Sequence, residues 1–114
     1  MAKPRRKTER VQGSSGNLFA DLGLPDAEEL DTKVRLAVAI NQRLDARRLT
    51  QSVAAALLGI NQPKVSALKS YKLDGFSVER LMVFLTELGS DIEIRISPAK
   101  RATSRAGRIS VAAA

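Results

Sequence analysis

Residues 50–71, TQSVAAALLGINQPKVSALKSY, restrict the fold more than any other part of this 114-residue chain. Two short helical patterns stand on either side of a break at Gly59-Ile60-Asn61. Thr50 can cap the first, its hydroxyl accepting from an otherwise unpaired N–H of the opening turn. Val53, Ala54, Leu57 and Leu58 then share a face at helical spacing, and small Ala55 and Ala56 permit close approach of a neighbour. Gly59 supplies the left-handed conformation that ends a helix. Asn61 caps the second helix, and Pro63 falls in its first turn, where no partner for its missing N–H is needed. Val65 and Leu68 point inward from that helix, leaving Gln62, Lys64, Ala67 and Lys69 outside. Paired short helices, a glycine turn and a small, polar or basic outer face are what a DNA-reading helix-turn-helix requires.

The individual residues carry a resemblance as well. Thr50-Gln51, Ala55, Leu58-Gly59-Ile60, Val65-Ser66 and Leu68 resemble the signature of the Xre/Cro/phage-repressor helix-turn-helix family. With Phe76-Ser77-Val78-Glu79-Arg80-Leu81-Met82 and the Gly-x-Asp-Ile-Glu-Ile run that follows, the chain is similar to HigA-type antitoxins of toxin–antitoxin systems over roughly Asn17–Ser97. The resemblance implies a mainly α, compact, phage-repressor-like bundle of about four to five helices, with one C-terminal β-strand used for pairing. It also implies a homodimer on an inverted-repeat operator, repression of its own operon, and neutralisation of a RelE/HigB-like ribonuclease toxin.

Composition narrows the chemistry. The chain holds neither cysteine nor histidine, which excludes disulfides, Cys-rich zinc sites, thiol nucleophiles and any imidazole base. Acidic pairs such as Glu28–Glu29 sit where helix capping already accounts for them, so we expect no catalytic residue, cofactor or metal site. The basic N-terminus lacks a following apolar stretch, and no apolar run approaches a membrane span; a cytoplasmic protein is expected.

Net charge is +7 and unevenly spread. Residues 1–16 and 98–114 carry +4 each, and the stretch 33–72 holds eight basic residues against Asp45 alone. The intervening segments 17–32 and 73–97 are acidic, at −5 and −3. Clustered Lys and Arg at a high pI form the electrostatic footprint of a polyanion ligand.

At this length we expect one domain, residues 17–97, between a basic arm (1–16) and a basic tail (98–114), both too polar to fold alone. Leu18, Phe19, Leu22 and Leu24 form a short apolar patch ending at Pro25 and read as core filling. A first helix begins with Asp26 as N-cap and carries Leu30, Val34, Ala37, Val38, Asn41 and Leu44 at the 3.6 period, widened by Leu36 and Ile40. Arg43, Arg47 and Arg48 at its end suit the helix dipole and phosphate contact equally. A fourth helix starts at Ser77, its inward face being Val78, Leu81, Met82 and Leu85, and ends at Leu88-Gly89. The predicted core is Val34, Ala37, Leu44, Val53, Leu57, Val65, Leu68, Leu81 and Leu85.

Asp91-Ile92-Glu93-Ile94-Arg95-Ile96-Ser97 changes period. Its isoleucines alternate with polar residues, the pattern of a half-buried strand, and no second clear strand accompanies it. Such a strand must pair, and the expected partner is its own copy across a two-fold axis. Ile92, Ile94 and Ile96 would then form the dimer interface against helix four or its mate, with Phe84 and Leu88 as the alternative helix-borne surface. For DNA, Gln62 suits adenine N6/N7 and Lys64 guanine O6/N7. Pro63, Ser66 and Ala67 would face the groove, with Gln51, Lys69 and Lys72 on phosphates. Pro63 and Ala67 cannot hydrogen-bond a base, which favours a second reading: a protein-interaction module that keeps the helix-turn-helix as scaffold.

Overall fold

The computed structural model describes residues 26–99 and 107–113. Among them stand four helices: α1 (Asp26–Ala46), α2 (Gln51–Leu58), α3 (Gln62–Lys69) and α4 (Val78–Glu87). The arm 1–16 and the apolar patch Leu18–Leu24 lie outside the described residues.

α1 is the spine. At 21 residues it is the longest helix, and it packs chiefly on α4 while α2 packs on α3. Asp26 is already its first helical residue, so with Glu28 and Glu29 it acts on the helix dipole rather than as a cap. The buried face of α1 is Thr32, Leu36, Ala37, Ile40, Asn41 and Leu44. Leu36 and Ile40, expected at the margin of the stripe, are its centre, while Leu30 and Val38 turn outward. Asn41 binds one helix to another, its Nδ2 donating to the carbonyl of Leu68 at 3.3 Å and so tying α1 to the end of α3. Arg43 makes a second tie, its Nε donating to Ser90 Oγ at 2.9 Å beyond α4.

The N-caps of the central hairpin and of α4 form as expected. Thr50 Oγ1 accepts from Val53 N, Asn61 Oδ1 from Lys64 N, and Ser77 Oγ from Arg80 N. Gly59 ends α2 with φ 71°, a conformation that disfavours any side chain. The inward face of α2 differs from expectation. Ala54, Ala55 and Leu58 are buried, whereas Val53 is 50% and Leu57 37% exposed. Small residues let the eight-residue helix close onto the bundle, and that tilts the Val53–Leu57 ridge toward solvent.

α4 buries Val78, Leu81, Phe84 and Leu85, and Leu88 just beyond it. Phe84 meets Phe76 edge to face, with ring centroids 5.9 Å apart. At 1% and 3% exposure, Phe84 and Leu88 are core and offer no helix-borne dimer surface.

Residues 91–99 adopt no regular structure, so the C-terminal strand is not formed within the chain. Ile94 and Ile96 are 73% and 91% exposed, not buried against α4 as expected. A ladder needs a partner backbone, and no other strand exists among the described residues. Arg95 instead pairs with Glu93 in the same chain at 3.1 Å, as residues two apart can when the backbone is extended. Within the stretch 98–114, Ile109 and Val111 lie half-buried against the core.

Candidate nucleic-acid interface

α3 owes its placement to Val65 and Leu68, both fully buried, and to the Asn41 bond at its far end. With its inner side so fixed, the outer side follows from helical geometry. Gln62, Pro63, Ser66 and Ser70 are exposed there and Ala67 is half-buried. This outer surface is small and carries no charge at its centre, so another molecule could come close to the backbone.

Charge lies at its margins. Lys69 pairs with Asp45 of α1 at 3.2 Å, fixing the amine on that flank. Arg47, Arg48, Gln51 and Lys72 are exposed nearby in sequence, at the α1–α2 and α3–α4 connections and the first turn of α2. On the opposite flank, Lys64 reaches toward α4. Its Nζ donates to the Gly75 carbonyl at 3.3 Å and stands 5.1 Å from the centroid of the Phe76 ring. Lys64 therefore does not share the outer direction of Ser66, where a base-reading lysine was expected. Of the predicted contacts, the structure brings Gln62, Pro63, Ser66 and Ala67 onto one face and divides Lys64 from Lys69 and Lys72.

Two residues of this region escape the sequence pattern. Tyr71, just past the Ser70 C-cap of α3, holds a left-handed conformation, φ 61°, and is 44% exposed. No periodicity announces it, because non-glycine residues rarely adopt that geometry. Arg80 lines a shallow depression with Ala55, Ala56, Gly59, Ile60, Asn61 and Lys64. Only the packing of α4 beside the turn reveals it.

A helix-turn-helix domain family model matches residues 18–97. The chain belongs to this helix-turn-helix family. A solved structure described as an XRE family transcriptional regulator is 61% identical, with a TM-score of 0.72 over 79% of this chain and all of that one. No curated protein matches the sequence. As a family member the chain has a compact, mainly helical core with the paired helices α2 and α3 at its exposed side. Among its described residues no helix is long and apolar enough to cross a membrane.

Proposed function

We propose that this protein is a sequence-specific DNA-binding repressor, working as a two-fold dimer on an inverted-repeat operator. The observation that carries the reading is the outer face of α3, small and uncharged at its centre and bordered by cations pinned to neighbouring elements. Such a surface can enter a major groove while its margins meet the phosphates. The XRE-family relative supports regulation of transcription as the role. Residues 17–97 form the operative unit in this reading, a span close to the family match.

Gln62 is assigned to a base edge, with Pro63, Ser66 and Ala67 lying in the groove. Gln51, Lys69 and Lys72 hold phosphates. Pairing of Ile92–Ile96 with its own copy would cover the three exposed isoleucines and place two α3 helices about 34 Å apart, one duplex turn. The antitoxin role rests on the resemblance at Phe76–Met82 and Gly89–Ile94, with a RelE/HigB-like toxin as partner. A second reading, a protein-interaction module, draws support from the exposed Val53–Leu57 ridge and from Pro63 and Ala67, which offer no base hydrogen bond.

A gel-shift titration over a salt series, on the DNA upstream of the protein's own gene, tests the reading. Salt-dependent binding that prefers this DNA over unrelated duplex is expected. Equal affinity for both, or none, would reject it in favour of the interaction module.

A further inference from the structure

We propose that Lys64 and Arg80 form a phosphate clamp for the DNA strand on the α4 side of the recognition helix, so that α3 is held by both walls of the groove. The inference rests on the DNA-binding reading above and reassigns Lys64 from base to backbone. Its starting point is the geometry of α3. At about 100° per residue, Lys64 and Lys69 stand about 70° to either side of the direction in which Val65 and Leu68 are buried. The two lysines are therefore symmetric flanks of one outward face. Lys69 is pinned to α1 through Asp45, and Lys64 to the start of the α4 segment through the Gly75 carbonyl.

A major groove is about 12 Å wide and bordered by one phosphate strand on each side. Cations on only one flank would hold one border. Arg80 completes the second flank: it lines the same depression as Lys64, over a floor of Ala55, Ala56, Gly59 and Ile60. Neither cation forms an ion pair among the described residues. Both are instead set against aromatic rings, Lys64 over Phe76 and Arg80 with its guanidinium carbon 5.4 Å from the Phe84 centroid. Ring faces orient a cation without neutralising it, which leaves the charge available to an anion. Gly75 contributes by what it lacks, since a Cβ there would stand 3.1 Å from the Lys64 amine.

The experiment is a salt-series titration of the full chain and of Arg80→Gln, Lys64→Gln, Gly75→Ala and, for the opposite flank, Lys72→Gln. Operator and unrelated duplexes are titrated in parallel, and a thermal melt checks each fold. Arg80→Gln and Lys64→Gln are each expected to weaken both duplexes roughly tenfold and to reduce the salt slope by about 1. Gly75→Ala, which shifts the amine but keeps its charge, should weaken binding by a smaller factor. If Lys72→Gln lowers the slope while Arg80→Gln and Lys64→Gln do nothing, the clamp is wrong and the DNA reading survives. The depression would then belong to an acidic protein segment. Relaxed preference at one base pair in Lys64→Gln, without uniform weakening, restores Lys64 as a base reader and also overturns the clamp. A wild-type chain that binds no duplex fails the functional reading itself, and the clamp with it.

Discussion

The hairpin from Thr50 to Ser70 and the run from Asp91 to Ala99 find partners for their backbones in opposite ways. In the hairpin, nearly every polar group is answered within a few residues: Ala54 N by the Thr50 carbonyl at 2.8 Å, Ile60 N by Ala55 at 3.0 Å, Ser70 N by Ser66 at 3.0 Å. The later run has no backbone–backbone hydrogen bond among the described residues, and its isoleucines face outward. A helix is complete with one chain, whereas a strand is complete only beside another. The hairpin is therefore decided by its own sequence, while the run is decided by what it meets.

Substitutions can pull the two regions further apart. The largest effect should come from Leu68→Ala, which empties a fully buried site shared by α3 and the α1 tie; a loss of about 2–5 kcal/mol is expected in a denaturant melt. Next is Gly59→Ala. Nothing lies within 4 Å of the added Cβ, so its effect isolates the left-handed backbone, about 1–2 kcal/mol. A melt unchanged by Gly59→Ala would show that the turn is set by tertiary packing instead. Thr50→Ala removes the cap bond to Val53 and should destabilise by about 1 kcal/mol in the same assay. Ile94→Asp should leave the melt of the dilute monomer within about 0.5 kcal/mol, since the side chain already faces solvent. At higher concentration it should abolish the proposed dimer, with sedimentation as the readout. A dimer that persists in Ile94→Asp would rule out pairing through this run.

What could be read from the sequence alone follows the same division. Caps at Thr50, Asn61 and Ser77 and the turn at Gly59 are legible because each depends on a residue and its neighbours three or four positions away. Which side of a helix faces the core is less so. Leu36 and Ile40 compete with Leu30 and Val38 for the inner face of α1, and only the seats of α4 and α3 decide between them. The same ambiguity misplaced Val53 and Leu57, since Ala54, Ala55 and Leu58 take the inner face of α2 in their stead. For the site, Gln62 and Ser66 follow from the α3 period. The direction of Lys64 does not, because it answers to a carbonyl eleven residues away. Arg80 belongs to a run that carries the family resemblance, but its place beside Lys64 follows only from the packing of α4 against the turn.

The side chains of Ser66 in α3 and of Ser70, whose backbone N–H caps that helix, are exposed and make no hydrogen bond among the described residues. Exposed positions of this kind tolerate exchange within about 0.5 kcal/mol. On the proposed DNA-binding reading, a gene duplicate could therefore acquire a new operator through one or two changes there, with no intermediate that folds poorly. Two sister regulators in one cell could be insulated from each other by recolouring that patch, while every cap, tie and core residue beneath it stays common to both.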